Sequence, residues 1–413
     1  MVAERGGARR RWVHQLHWQI LLGMAVGVAA GAALGQHASY VRPLGDIFLR
    51  LLRMVIVPLI FSSLVVGITG LGDASRVGRM GLKALIYYTA TSAAAILVGL
   101  VAVNLIRPGV HANLPLAAAS AGLNVSAEGI GDTLLGIIPD NPLAAMAQGN
   151  VLAIIFFALL VGLFTNRLPA PRRGVIVDLM QAVFDLMMLI TDFVIRLAPI
   201  GVFALMANIV GTTGFEAFPP LLRYMFTVAF SLALHALVTL PAVLFVFGRL
   251  WPVTYAQAVA PALATAFSTA SSSATLPVTM DCVERRGGVS NQVSSFVLPL
   301  GATVNMDGTA LYECVAAIFI AQVYGISLSV GQQALVFVTA LLASIGAAGI
   351  PMAGLVMMVI VLRAVGLPLE GVGLILAVDR VLDMCRTAVN VWSDMVGAVV
   401  LSRWEGYEIT PGE

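Results

Sequence analysis

The sequence predicts an all-α polytopic membrane protein, and three observations carry that prediction. Hydrophobic residues fill 59% of the 413 positions and charged ones only 11%, against roughly 25% charged in soluble domains. Six long apolar runs, at about 14–36, 42–71, 80–107, 140–166, 175–210 and 219–249, each reach the about 20 residues that a bilayer crossing needs. Beyond them, two apolar segments interrupted by small polar residues are each followed by a long helical stretch carrying acids.

The first run follows a basic start (Arg5, Arg9, Arg10, Arg11). That pattern fits a signal peptide or an uncleaved first helix, and the length of residues 17–35 favours the helix. Basic stretches recur at Arg76 to Lys83, Arg167 to Arg173 and Arg285 to Arg286, whereas 110–130, 210–220 and 323–333 hold no Lys or Arg. By the positive-inside rule the first set is cytoplasmic and the second outside. The segment 108–139, rich in Gly, Ala, Asn and Ser, reads as an extracellular connection plus a broken helix. Cys282, Cys314 and Cys385 are scattered, which gives neither a disulfide framework nor metal-ligand spacing. They read as small buried residues. A net charge of +2 points to no nucleic-acid partner.

The interrupted segments are Val259–Pro277, with Ser268-Thr-Ala-Ser-Ser-Ser-Ala-Thr-Leu-Pro277, and Ala340–Pro351, with Ser344-Ile-Gly-Ala-Ala-Gly-Ile-Pro351. Neither has a full apolar span on both sides of its break, so each reads as a helical hairpin that enters the membrane, turns and leaves on the same side. Close packing through small residues is the alternative. Each precedes a polar helix, 291–323 and 370–402. A hairpin followed by a helix, twice, is the signature of an inverted repeat, which places substrate and ion sites near the midplane.

Gly301-Ala-Thr-Val-Asn-Met-Asp-Gly-Thr-Ala310 interrupts the first polar helix. Gly308 is a poor helix former, and Asn305, Asp307 and Thr309 compete for backbone hydrogen bonds. Freed carbonyls, an amide oxygen and a carboxylate are hard oxygen ligands suited to Na⁺; a buried polar knot that only ties helices together is the alternative. Glu313, six residues past Asp307, is a lone glutamate among apolar residues, where desolvation favours the protonated acid. It reads as a proton carrier or else as an interface residue. Tyr88, Thr91 and Ser92 share one face of the third span, a weak signal alone.

In the last helix Asp379, Asp383, Arg386, Asn390 and Asp394 are spaced 4, 3, 4 and 4 residues apart. At about 100° per residue they fall within roughly 80° of one another and form one polar stripe. Each charge at the bilayer centre costs at least ~2.5–3.5 kcal/mol on insertion scales. The two polar helices hold five acids, Asp307, Glu313, Asp379, Asp383 and Asp394, against Arg380 and Arg386. Burying that excess unneutralised is prohibitive, so the site takes cations, protons or both. An arginine able to grip a carboxylate in bidentate fashion then points to cation-coupled uptake of an anion. Asp383, one turn before Arg386, suits a substrate ammonium; an internal salt bridge between the two is the alternative.

Ser271-Ser-Ser-Ala-Thr-Leu-Pro277, Asn305-Met-Asp-Gly-Thr309 and the stripe from Asp379 to Asp394 resemble the glutamate transporter family, the dicarboxylate/amino acid:cation symporters. Arg53-Met-Val-Ile-Val-Pro-Leu-Ile-Phe-Ser62 and Ala198-Pro-Ile-Gly-Val-Phe203 add to a resemblance that runs from about residue 14 to 405. It implies a homotrimer of independent protomers, each with eight transmembrane helices and two re-entrant helical hairpins in inverted repeats, working as an elevator-type transporter. On that pattern residues 1–13 are a cytoplasmic tail, 14–75 scaffold helices 1 and 2, 76–108 transport-domain helix 3 and 109–212 scaffold helices 4 and 5. Residues 213–405 then form the transport domain of helix 6, hairpin 1, helix 7, hairpin 2 and helix 8, and 406–413 a second tail. The setting implied is the plasma (inner) membrane with both termini cytoplasmic.

The resemblance also implies roles. Arg386 would bind the substrate side-chain carboxylate, helped by Thr309 and the backbone near Gly354. Asp383 would bind the ammonium, with the carbonyls of Ala270 and Ile350 and with Thr387. Ser272 and Asn390 would bind the α-carboxylate. One Na⁺ site would use carbonyls of Gly301, Asn305 and Asn390 with Asp394. A second would use carbonyls around Thr303, Ser344, Ile345 and Ala347. A third would use Tyr88, Thr91, Ser92, Asn305 and Asp307. Met306 would couple ions to substrate, and Asp379 would orient the network, with Arg380 beside it as a neutralising charge. Archaeal relatives carry an Arg at the place of Ala270 and animal relatives one at the place of Met384; this chain has neither. Glu313 matches the proton-carrying glutamate of the animal transporters, which favours H⁺ coupling, while the absence of an arginine at Met384 or Ala270 disfavours potassium counter-transport. Met352 stands where small or polar gate residues are usual.

The expectation is therefore a symporter for aspartate and glutamate coupled to Na⁺ and H⁺. The runner-up is a C4-dicarboxylate symporter of the same fold, disfavoured because succinate, malate and fumarate have no ammonium for Asp383. A neutral amino-acid exchanger would leave Arg386 a buried charge without a partner. An intramembrane hydrolase using Ser271 to Ser273 is disfavoured because a serine nucleophile needs a base within reach, and His14, His17, His37, His111 and His235 all lie well upstream.

Overall fold

A computed structural model describes residues 16–69, 76–110, 112, 138–148, 151–214, 218–345 and 353–409 of the chain. Every regular element among these residues is helical. Helices α1 (Leu16–Leu34) and α2 (Arg42–Thr69) flank a 3₁₀ segment, Gly35–Val41, and α3 is Arg76–Ile106. Next come α4 (Pro142–Gln148), α5 (Val151–Thr165), α6 (Ala170–Arg196) and α7 (Ala198–Thr213). Helix α8 runs over Phe218–Gly248 and includes two π-helical turns, His235–Thr239 and Leu244–Gly248. Arg79–Ile106, Ala170–Thr191, Phe218–Gly248 and Asn291–Val323 are long and apolar enough to cross a membrane.

The apolar run 175–210 is two helices rather than one. Pro199, in the first turn of α7, has no N–H to carry a helix through that point. Leu197 therefore ends one helix and caps the next. The interrupted segment 259–277 is a helix–turn–helix of α9 (Pro252–Thr269) and α10 (Ser272–Asp281), which pack on each other. The second interrupted segment gives α13 (Val330–Ile345) and α14 (Ala353–Ala364), also mutually packed; Ile350, Ala347, Met352 and most of 108–139 lie outside the described residues.

The stretch 291–323 breaks as its sequence demands. Helix α11 (Asn291–Val304) stops and α12 (Asp307–Val323) starts across Asn305 (φ −99°, ψ 89°) and Met306 (φ −121°, ψ 61°). The last helix, α15 (Val372–Trp404), is unbroken over 33 residues and carries the whole polar stripe. Helices α1, α2, α5, α6 and α7 pack mainly among themselves, and α3 with α8 to α15 form the other group. At the core of the second group, α15 lies against α8, α9, α11 and α12.

Candidate functional site

Helix α15 presents Asp379, Asp383, Arg386, Thr387, Asn390, Ser393 and Asp394 to the interior, and every one of them is buried. Arg386 is 1% exposed. Its Nη2 donates to Asp383 Oδ1 at 2.8 Å and sits 3.3 Å from Asp379 Oδ1. The guanidinium also lies 3.8 Å from the centre of the Tyr312 ring on α12, a cation–π contact. Nε and Nη1 of Arg386 find no hydrogen-bond partner. A buried guanidinium with two idle donor groups is equipped to take a further carboxylate. Gly354, at the start of α14, faces these donors: a Cβ there would stand 2.5 Å from Nη1.

Asn390 joins α15 to the helix break. Its Oδ1 accepts the Gly308 N–H at 2.8 Å and its Nδ2 donates to Thr309 Oγ1 at 3.2 Å. Only glycine permits this approach, since a Cβ at 308 would sit 2.7 Å from the Arg386 carbonyl oxygen. Asp394 lies one turn further. Its Oδ1 accepts Asn305 Nδ2 at 2.9 Å, and a Cβ at Gly301 would overlap that same oxygen. The expected set of Gly301, Asn305, Asn390 and Asp394 is thus gathered around one break.

A second convergence centres on Asp307, buried at the first residue of α12. Ser92 Oγ donates to its Oδ1 at 2.6 Å and Thr91 Oγ1 at 3.2 Å, while Thr91 also reaches Asn305 Oδ1 at 3.4 Å. Tyr88, one turn before Thr91 and Ser92, donates its hydroxyl to the Val297 carbonyl at 2.8 Å. The face of α3 that is weak evidence in sequence is therefore joined to Asp307 in space. Among the described residues no group of three or more His, Cys, Asp or Glu could hold a metal ion. The gathered groups are mostly neutral oxygens with single carboxylates, a donor set that suits a hard monovalent cation.

The third oxygen set is described in part. Thr303 and Ser344 bond back to Leu300 and Leu341 carbonyls at 2.9 Å each. Ile345 ends α13, and α11 and α13 touch.

Hairpin α9–α10 carries Ala270 and Ser272, both buried. Ala270 takes a left-handed conformation (φ 51°, ψ 37°), which costs an L-residue roughly 1–2 kcal/mol. It ends α9 and lets Ser271 cap α10, with its side chain accepting the Ala274 N–H at 3.2 Å. Serine chemistry thus builds a helix start here, beside α15. Glu313 is buried on α12 and neither carboxyl oxygen has a hydrogen-bond partner. Met306 is buried within the break.

Two findings depart from the sequence reading. Arg380 pairs with Asp383, Nη1 to Oδ2 at 3.5 Å, rather than with its neighbour Asp379. Adjacent helical residues point about 100° apart, whereas i and i+3 lie on one face. Asp379 is matched instead by Arg386. The other departure is His235. It lies far upstream in the chain, yet its Nε2 is 3.1 Å from Asp307 Oδ2, with both side chains fully buried. Ser393 Oγ donates to the same oxygen at 2.7 Å. His235 opens the first π turn of α8, where the Ala236 carbonyl accepts Trp392 Nε1 at 3.1 Å. π turns recur at functional sites. A single histidine in the middle of a membrane-length span was the available signal.

A model of the Sodium:dicarboxylate symporter family matches residues 16–404. The chain is 38% identical to a proton/glutamate-aspartate symporter of Escherichia coli (strain K12), covering 94% of this chain and 93% of that one. It is 36% identical to a proton/sodium-glutamate symport protein of Bacillus caldotenax, over 95% and 94% of the two chains. Excitatory amino acid transporter 3 of Mus musculus is 37% identical, over 95% and 86%. With a family match across nearly its whole length and relatives of this identity and coverage, the chain belongs to the sodium:dicarboxylate symporter family.

Proposed function

We propose that this protein is a secondary active symporter that takes up aspartate and glutamate with Na⁺ and H⁺. The observation that carries the reading is the pairing on α15: Arg386, with idle donors, one turn from Asp383. An acidic amino acid offers the complement, a carboxylate for the guanidinium and an ammonium for Asp383. Thr387, Ser272, Asn390, Thr309 and the carbonyls of Ala270 and Ile350 complete the pocket. Asp394 with Asn305 and Gly301, Asp307 with Thr91, Ser92 and Tyr88, and the carbonyls near Thr303, Ser344, Ile345 and Ala347 hold the Na⁺ ions. Met306 links those ions to the substrate. Glu313, buried without a partner, carries the proton.

The same reading gives eight transmembrane helices and two re-entrant hairpins, in the inner membrane with both termini cytoplasmic. Helices 1, 2, 4 and 5 are the scaffold of a homotrimer, and residues 76–108 and 213–405 form an elevator domain. The two packing groups support that division, and the exposed Val175, Leu179, Leu186, Leu189 and Phe193 on α6 support a lipid or subunit contact there. Relatives named for glutamate and aspartate support the substrate over a C4-dicarboxylate.

Reconstituted into proteoliposomes, the protein is expected to concentrate labelled aspartate and glutamate when an inward Na⁺ or H⁺ gradient is imposed. If succinate accumulates and neither amino acid does, the reading fails.

A further inference from the structure

Asp379, Arg380, Asp383 and Arg386 form one connected group over two turns of α15: two carboxylates and two guanidiniums, formally neutral. The two arginines are held very differently. Arg386 is gripped by Asp379, Asp383 and the Tyr312 ring. Arg380 makes one ion pair, 3.5 Å to Asp383 Oδ2, its Nε is buried without a hydrogen-bond partner, and 12% of its side chain is exposed. Arg380 is the arginine that can leave.

We infer that Arg380 is a tethered stand-in for the substrate ammonium, occupying Asp383 while the transporter is empty and yielding it when substrate binds. This inference rests on the reading of Asp383 as the ammonium site. Its physical basis is charge. Without Arg380, this group sets two carboxylates, Asp379 and Asp383, against the one guanidinium of Arg386, an excess of one buried negative charge. Moving such a charge across a bilayer is costly. With Arg380 in place, these four side chains are neutral together in the empty carrier, with no ammonium at Asp383. The loaded site has no need of it, because the ammonium takes its place at Asp383. Arg380 therefore acts in one half of the cycle, and in the other it competes with substrate.

Exchange and net uptake separate these halves. In proteoliposomes preloaded with unlabelled aspartate, exchange with external labelled aspartate uses only the loaded carrier. Net uptake into empty vesicles requires the empty carrier to return. Arg380→Ala, and Arg380→Gln should the alanine variant fold poorly, are expected to slow net uptake at least tenfold. Exchange should continue with a KM several-fold lower, as the internal competitor is gone. Arg380→Lys, which restores a cation, should recover net uptake. A merely structural role would depress exchange and net uptake together. Parallel loss, no change in either, or failure of Lys to rescue would overturn the inference. Failure of the wild-type protein to exchange aspartate at all would instead overturn the substrate reading beneath it.

Discussion

Glycine brings helices together between α1 and α7 and again around α15, and what it brings together differs. In α1, a Cβ at Gly27 or Gly31 would stand 2.5 or 2.6 Å from the Phe203 or Ala207 carbonyl oxygen of α7, and at Gly23 it would overlap that of Pro199. Neither α1 nor α7 contains an Asp, Glu, Lys or Arg. Around α15, Gly308 and Gly301 allow an equally close approach, but the atoms they admit are the Arg386 backbone, Asn390 Oδ1 and Asp394 Oδ1. The first interface is complete as it stands, with backbone against backbone and one way to fit. The second buries five acids, Asp307, Glu313, Asp379, Asp383 and Asp394, with Arg386 in their midst, and leaves Glu313 and two arginine donor groups without hydrogen bonds. Membrane helices gain little from hydrophobicity when they associate, so close packing supplies the glue. A polar cluster of this composition reaches neutrality only with guest ions. One region is a fixed joint, and the other is a site whose charge is supplied from outside.

Substitutions that exchange these characters test the contrast. Gly27→Leu should have the largest effect, because the Phe203 carbonyl belongs to the backbone and cannot step aside. A loss of about 3 kcal/mol is expected from overpacking, seen as a lower melting midpoint in detergent, with unchanged Na⁺ affinity in the protein that remains folded. Gly301→Ala should do the reverse. Its methyl group meets Asp394, so Na⁺ affinity should fall about tenfold, equivalent to ~1.4 kcal/mol, while the melting midpoint moves little. Equal effects of both variants on stability would erase the distinction. Glu313→Gln should remove the pH dependence of uptake to within about twofold, since an amide titrates nothing, and leave Na⁺ dependence intact; unchanged pH dependence would remove Glu313 as the proton carrier.

The smallest effect belongs to the far end of α15, where Glu405 meets Lys83 at 2.7 Å and Arg79 at 3.3 Å. The Lys83 hydrogen bond, with the charges of Lys83 and Arg79, holds the Glu405 carboxyl below the usual carboxylate range. A depressed pKa contributes stability above the unfolded value of about 4.3, lost as pH falls through the folded value. Glu405→Gln should lower the melting midpoint by only about 1 °C at neutral pH. The two proteins should converge in acid; divergence there would show that the pair is not what stabilises this end.

The stripe on α15 was legible because helical period alone aligns residues 4, 3, 4 and 4 apart, and the α11–α12 break because Asn305, Asp307 and Gly308 disfavour helix continuity. Spatial partners were less legible. His235 reaches Asp307 across 72 residues, a contact that no local pattern encodes. Arg380 adjoins Asp379 in sequence, while the helix turns its ion pair toward Asp383. The split of 175–210 at Leu197 was signalled by Pro199 but masked by unbroken apolar composition. Ala270 gave no sign of its left-handed backbone, since alanine is a helix former by every local measure.

The central claim is that α15 recognises both charges of an acidic amino acid. Its most direct test is the ratio of aspartate to succinate uptake in Asp383→Asn, set beside Arg386→Thr. Loss of the carboxylate should cut aspartate uptake about 100-fold, in keeping with breaking a buried charge pair, and spare succinate, so that the ratio inverts. Arg386→Thr should lose both acids and gain a neutral amino acid. An Asp383→Asn protein that still prefers aspartate over succinate would contradict the account.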